Sequence, residues 1–251
     1  MYDFDDAVFH VYDQHRSSLV RGLFGGKIPA VIAGASHVLA GSEYLAAFAR
    51  KHNASVEMLP TVVDTERYRV RDPARAGAPL TVGWIGSPST ATYLREAILP
   101  LRSFFDGGNA TLALVGSGPV ELPGIPLEIR DWSLDREVDD LRAFDVGIMP
   151  LPDTPWARGK CGFKLIQYMA CGVPVIASPV GANREIVEHG VNGYLAETPQ
   201  EWLQALHALA QDPGLGRAMG EAGRRKVERE YSLDYAAPRL ARALTSAAAR
   251  R

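Results

Sequence analysis

Three basic side chains, Arg158, Lys160 and Lys164, fall within seven positions where the chain reads RGKCGFK. The apolar spacing over 162–170 predicts a short amphipathic helix directly after them. A helix N-terminus carries unpaired N–H groups and about half a positive charge, so it attracts anions. Cations at that end oppose the macrodipole, and a segment that breaks a local rule is a candidate functional site. The chemistry expected is binding of an anionic, nucleotide-like ligand, with Lys160 and Lys164 adding whole charges. A plain solvated helix end is the competing reading.

Two further loops carry groups of the right kind. In Gly83-Trp84-Ile85-Gly86-Ser87-Pro88-Ser89-Thr90, a glycine follows a predicted strand and lets backbone approach a phosphate. Ser87, Ser89 and Thr90 can cap the next helix or bond a phosphate oxygen. A capped turn of any doubly wound sheet has the same composition, so both readings stand. The loop lacks the Gly-x-x-x-x-Gly-Lys-Ser/Thr spacing of a P-loop, and Val115-Gly116-Ser117-Gly118 lacks the third glycine of a dinucleotide fingerprint. A dehydrogenase is disfavoured. In Gly181-Ala182-Asn183-Arg184-Glu185, Asn183 and Glu185 can bond sugar hydroxyls or cap a helix.

The elements that must position these groups follow from periodicity. Strands are expected at 80–85, 111–115, 127–129, 146–149 and 173–177, and helices at 137–143, 162–170 and 184–188, with a helical last third. Strands alternating with helices call for a parallel sheet covered on both faces, with ligands at the C-terminal strand ends. Each glycine-rich turn follows a strand and so falls on that edge. Before this unit, residues 1–71 read as a partial Rossmann-like domain. It comprises a helix over 6–23 ended by Gly25-Gly26, a second helix, a strand at 37–40, a helix over 43–51 capped by Ser42, and a strand at 56–59. Residues 72–79 read as a linker, 80–230 as the ligand-binding domain, and 231–251 as a helix packing back toward the first part.

Bulk properties set limits. The 251 residues are 47% hydrophobic and 22% charged, ordinary for a globular protein, and the net charge of −2 gives no global pull toward nucleic acid. Cys161 and Cys171, read as opposite ends of one helix, are too few for a disulfide scaffold and fit a reducing compartment. No apolar run approaches the length of a membrane span, and no secretory leader is read. A cytoplasmic location is expected, with peripheral membrane contact left open.

The run Phe144-Asp145-Val146-Gly147-Ile148-Met149-Pro150-Leu151 precedes Gly162-Phe163-Lys164-Leu165 and Met169-Ala170-Cys171-Gly172-Val173-Pro174-Val175-Ile176-Ala177-Ser178. Together with Gly181, Glu185 and Gly190-Val191-Asn192-Gly193, this pattern resembles the C-terminal domain of a retaining GT-B glycosyltransferase of family 4, also called group 1. Asp3-Phe4-Asp5-Asp6-Ala7, Gly41-Ser42-Glu43-Tyr44-Leu45 and Pro60-Thr61-Val62-Val63-Asp64 resemble the end of that family's N-terminal domain. The resemblance implies an α/β, GT-B-like fold with a doubly wound C-terminal domain. It also implies metal-independent, hexosyltransferase-like transfer from a nucleotide-diphosphate sugar, with retention. The acceptor is a hydroxyl of a glycan, lipid-linked or small-molecule partner, in carbohydrate biosynthesis. No cofactor is implied beyond the donor substrate. Lys164, Arg158 and Lys160 would stabilise the departing diphosphate, helped by amides near Gly162 and Phe163. Gly86, Ser87, Gln167, Asn183 and Glu185 would line the donor.

Two departures accompany the resemblance. Where the family often carries two carboxylates, this chain has Gly159 and Gln167. About seventy residues precede the linker, fewer than such a domain needs, which predicts donor binding with weak or no transfer for the chain as it stands. A nucleotide-sugar-binding module and a sugar-nucleotide epimerase of the same fold are the alternatives. The Asp-x-Asp at Asp3 and Asp5 could hold a metal in a GT-A transferase. Its place before a predicted helix reads instead as charge complementing that helix's dipole.

Overall fold

The computed structural model describes residues 1–72 and 79–249, so most of the expected linker lies outside the described residues. The first lobe contains β1 (Tyr2–Phe4), α1 (His10–Asp13), α2 (Ser18–Phe24), α3 (Lys27–Gly34), β2 (Val38–Ala40), α4 (Glu43–Ala49) and β3 (Val56–Met58). Its three strands form a parallel sheet in the order β1-β2-β3, with Tyr2 opposite Val38 and Val38 opposite Val56. Ser42 caps α4, its hydroxyl accepting from the Leu45 amide.

The single helix expected over 6–23 is broken. Between α1 and α2, Ser17 is extended and its amide donates to His15 Nδ1 at 3.1 Å, while Arg21 Nη1 donates to the His15 carbonyl at 2.6 Å. Side chains thus take backbone groups that helix continuation would have used. Because α1 begins only at His10, Asp5 and Asp6 lie ahead of any helix, in the loop after β1, and do not complement a dipole.

The second lobe begins with β4 (Leu80–Ile85), α5 (Pro88–Ala91), a 3-10 turn (Thr92–Ala97) and α6 (Ile98–Phe105). It continues through β5 (Ala110–Val115), β6 (Leu127–Arg130), α7 (Glu137–Arg142), β7 (Val146–Met149), α8 (Pro155–Arg158) and α9 (Phe163–Ala170). Then come β8 (Val175–Ala177), α10 (Asn183–Ile186), β9 (Gly193–Leu195), α11 (Pro199–Gln211), α12 (Pro213–Glu230) and α13 (Leu233–Ala249). All six strands are parallel, in the order β6-β5-β4-β7-β8-β9. The chain winds outward from β4 in one direction and from β7 in the other, so the order reverses between those two strands. A parallel sheet buried on both faces explains the near-continuous apolar runs of β4, β5, β7 and β8. One face packs Val82, Leu112, Leu114 and Ile148 against α6 and α11 residues; the other packs Val115, Met149 and Val175 with residues of α7, α9 and α12.

The reversal point is held open by a tyrosine. Between β4 and β7 only Val82 with Val146 and Gly83 with Gly147 are paired. Beyond them the Tyr168 hydroxyl, from α9, accepts from the Ile85 amide at 3.0 Å. The two facing glycines leave room for rings: a Cβ on Gly83 would lie 2.0 Å from the Phe144 ring, and one on Gly147 2.5 Å from the Tyr168 ring. This close approach sets α9 against the crevice.

The lobes are joined by several arginines. Arg224 of α12 donates to the Thr65 carbonyl at 2.9 Å, to the Ala170 carbonyl at 2.6 Å, and to the Tyr68 carbonyl. Arg71 bridges to Asp145 at 2.8 Å. Val63 forms a parallel bridge with Ser232, and α13 then crosses the first lobe, where Arg239 meets Glu57 at 3.2 Å. Among the described residues no helix is long and apolar enough to cross a membrane.

Candidate functional site

A cavity of about 640 Å³ opens at the C-terminal ends of β4 and β7. The second lobe supplies Gly86 and Ser87 after β4, Gly116 after β5, Trp132 after β6, Met149 of β7, Glu137 of α7, and Gly162, Phe163, Lys164 and Gln167 around α9. The first lobe closes the far side with Asp5, Asp6 and Thr61.

Lys164 is the centre of positive charge. Its ammonium lies 5.1 Å from the centre of the Trp84 ring, and no carboxylate lies within ion-pair distance among the described residues. Its stem passes over Gly86, where a Cβ would come within 2.6 Å of Lys164 Cε. That contact explains the glycine at this turn better than backbone freedom does. Burial, reinforced by the charge of Lys160, pulls the Lys164 ammonium down to about 8, and Asp6 offsets part of this. Gly162 precedes α9 in the left-handed conformation, φ 69°, and no side chain caps the helix. A Cβ there would also strike Ile186 at 2.3 Å.

The remaining cations are placed differently. Lys160 Nζ donates to both carboxylate oxygens of Asp6, at 2.9 and 3.1 Å, and sits 5.2 Å from the centre of the Trp156 ring. It lines the cavity, but its charge is already shared with the first lobe. Arg158 is not brought to the cavity: it ends α8 and pairs with Asp153 through contacts of 2.6 and 2.9 Å. Thr154 caps α8, so Arg158 lies in the last turn of its own helix, where a cation suits the dipole.

The 181–185 loop also stands outside the cavity lining. Asn183 is fully buried, and its Nδ2 donates to the Ser178 carbonyl at 3.0 Å, fastening the turn after β8. Glu185 is exposed and faces α4, with desolvation first and the charge of Glu43 second raising its carboxyl above the ordinary range. Asn183 thus fastens this turn through its amide nitrogen while its Oδ1 is buried without a partner among the described residues, and Glu185 stands at the rim between the lobes.

Sequence reasoning named Gln167 but passed over the polar chain it joins at the cavity wall, formed by Glu137, Tyr68 and Trp132. Glu137, 7% exposed, accepts from the Tyr68 hydroxyl at 2.5 Å and from Trp132 Nε1 at 2.8 Å. Gln167 Nε2 donates to the same Tyr68 oxygen at 3.0 Å, and Arg67 approaches Glu137 at 3.6 Å. Burial and the Glu137 carboxylate raise Tyr68 far above an ordinary phenol, so it remains a donor. The available signal was a tryptophan and an acid just past the strand at 127–129, on the ligand edge of the sheet.

The crevice at the reversal point of the parallel sheet thus carries a lysine without a carboxylate partner among the described residues and is closed by a second α/β lobe. Residues 79–212, just over half of the chain, match the family of glycosyl transferases group 1. The chain belongs to that family. Among curated relatives, it is 29% identical over 170 residues to a D-inositol 3-phosphate glycosyltransferase of Thermobispora bispora, covering 67% of this chain and 35% of that protein. It is 26% identical over 221 residues to an alpha-maltose-1-phosphate synthase of Mycobacterium tuberculosis, covering 72% and 54%. The chain therefore spans between about a third and about half of the length of these relatives. A solved structure of HepE from Anabaena with UDP and glucose superposes with TM-score 0.76 at 17% identity, covering 98% of this chain and 71% of that one. A sucrose-phosphate synthase of Thermosynechococcus elongatus gives TM-score 0.75 at 18% identity, covering 99% and 68%. At these identities the likeness establishes the fold, GT-B with Rossmann-like sheets.

Proposed function

We propose that the cavity binds a nucleotide-diphosphate sugar and that the protein transfers the sugar, a hexose, to an acceptor hydroxyl with retention of anomeric configuration and without a metal. The observation that carries this reading is Lys164, a half-buried cation with no carboxylate partner among the described residues, beside the uncapped first turn of α9. A buried charge is costly unless something pairs with it, and a diphosphate does so when bound.

In the transfer, the bond between the anomeric carbon and the phosphate oxygen breaks, and the leaving nucleoside diphosphate keeps the electron pair. The sugar becomes oxocarbenium-like, the acceptor oxygen bonds to the same face, and its proton passes to the departing phosphate. In this reading negative charge grows beside Lys164 and the first turn of α9, the condition for stabilising the transition state more than the ground state. Lys160, held by Asp6, sits beside Lys164 on the cavity wall and contributes a second, partly compensated charge. Family membership and the UDP-bound fold neighbour support this reading. The acceptor class is a glycan, lipid-linked or small-molecule hydroxyl, and a cytoplasmic location in carbohydrate biosynthesis accords with it.

Thermal unfolding with a panel of nucleotide-diphosphate sugars tests the reading. A bound donor at a hundred times its Kd should add about 2.7 kcal/mol of stability, unchanged by EDTA. A shift abolished by EDTA would overturn the metal-free part, and no shift with any donor would overturn the whole.

A further inference from the structure

Two short helices of the first lobe, α1 and α2, have no buried residue. In α2, Leu19 and Leu23 are each 68% exposed and Phe24 is 46% exposed. Leu19 and Leu23 stand four positions apart and so share one face of the helix. With seven residues, α2 is below the length of about 12–15 at which an isolated helix is even marginal in water. Helices of globular proteins owe their stability to an apolar stripe set against a core. The stripe is present in α2, and the core is not.

The segment is nevertheless a fixed part of the lobe. Phe9, 2% exposed, stacks on Phe48 of α4, and the His10 ring bonds the Tyr44 hydroxyl at 2.9 Å. The Tyr12 ring then lies 6.5 Å from the Phe24 ring, and Lys27 Nζ 5.2 Å from the centre of the Tyr12 ring. The charges around this apolar surface have one sign. From Gln14 to Ser42 the chain has no Asp or Glu, while Arg16, Arg21 and Lys27 fall in that stretch and are exposed. None of the three pairs with a carboxylate among the described residues. Arg21 donates to the carbonyls of His15 and Arg16, and Lys27 to the Tyr12 hydroxyl at 3.4 Å. The whole chain carries a net charge of −2, so the local charge runs against the sign of the molecule.

We propose that the surface carried by α1, α2 and the start of α3 docks on an anionic phospholipid bilayer. Leu19, Leu23 and Phe24 enter the boundary below the headgroups, and Arg16, Arg21 and Lys27 lie among the phosphates. The assignment is independent of the donor site. A bilayer surface supplies both things the segment lacks, an apolar layer against one face and anions beside it. A protein partner would cover the leucines but would also have to set carboxylates opposite three separate cations. At seven residues α2 is far too short to span the apolar layer, so it lies in the plane of the interface. Such attachment is reversible and sensitive to salt, because the Debye length falls from about 10 Å at 0.1 M to about 3 Å at 1 M.

Co-sedimentation of the full chain with vesicles tests this. The protein should pellet with vesicles of phosphatidylcholine mixed with phosphatidylglycerol, stay in solution with phosphatidylcholine alone, and be released by high salt. Each cation near the surface contributes about fivefold to partitioning, so Arg16→Gln with Lys27→Gln should weaken binding roughly 25-fold. Leu19→Gln with Leu23→Gln should weaken it by about tenfold or more. Both pairs change exposed side chains and should leave the Tm of the free protein unchanged. Should one pair fail to fold, the other still decides. No binding to the anionic vesicles, equal binding to both kinds, or unchanged binding in every pair that folds overturns the proposal. So does a dimer, seen by light scattering, that Leu19→Gln with Leu23→Gln abolishes, since the face would then belong to a second copy of the chain.

Discussion

Lys164 sets folding against binding. Its ordinary value is 10.5, and burial with the nearby Lys160 charge brings it to about 8 in the folded chain. Between those values the unfolded chain holds a proton that the folded chain has released. Stability of the ligand-free protein therefore rises with pH across that window, and the protonated lysine is a liability at pH 7. Lys164→Met keeps the stem over Gly86 and Trp84 but removes the charge. It should stabilise the ligand-free protein at pH 7 by on the order of 1 kcal/mol, while the stabilising effect of a nucleotide diphosphate disappears. A lower Tm for the variant at pH 7 would show that the ammonium serves the fold. Diphosphate affinity in the unaltered protein should decline between pH 7 and pH 9 as Lys164 loses its proton, and the same titration on Lys164→Met should be nearly flat. Calorimetry across that range checks the sign.

At the level of elements, what could be read in advance and what could not have distinct physical origins. Strands β4, β5, β7 and β8 announce themselves because burial on both faces leaves almost no polar residue in them. The strands β1 and β9, Tyr2–Phe4 and Gly193–Leu195, are as short as β2 and β8 but, unlike those two, only partly buried, so no continuous apolar run marks them. The break between α1 and α2 depends on His15 and Arg21 side chains reaching backbone, which periodicity does not encode. The cation cluster was legible, but which cation faces the ligand was not, since Asp153 takes Arg158 and Asp6 takes Lys160. Glu137 and Tyr68 are far apart in sequence and meet only in the folded chain. The glycine pair Gly83 and Gly147 also makes sense only in three dimensions, as the floor under Phe144 and Tyr168. Gly147→Ala should force the Tyr168 ring off the sheet and cost about 1–3 kcal/mol, the usual range for overpacking. It should also weaken nucleotide binding, because α9 carries Lys164 and Gln167 with it. A stable Gly147→Ala variant with unchanged binding would mean that Tyr168 does not position α9.

For the whole molecule, the cavity is lined by both lobes, and a close meeting point between them explains a departure from the family pattern. Position 159, where the resemblance leads one to expect a carboxylate, is a glycine at φ −81°, so backbone freedom does not require it. Space does: a Cβ there would lie 2.3 Å from the Ala7 Cβ and 3.1 Å from the Ala7 amide. On either side of this contact, Lys160 pairs with Asp6, and Cys161 Sγ donates to the Asp5 carbonyl at 2.8 Å. The segment 159–161 is thus seated in the first lobe, and a longer side chain at 159 would push the lobes apart. Gly159→Ala should cost about 1–3 kcal/mol and weaken nucleotide binding by withdrawing Asp5, Asp6 and Thr61 from the cavity. Ala7→Gly removes the opposing methyl, so the double variant Ala7→Gly, Gly159→Ala should recover most of that loss. The coupling measured by the four-variant thermal unfolding cycle should be favourable by roughly 1 kcal/mol or more, as for residues in direct contact. Additive losses would mean that the lobes do not touch at this point in solution, and that the cavity wall supplied by the first lobe is set by the arginine ties at Arg71 and Arg224 instead.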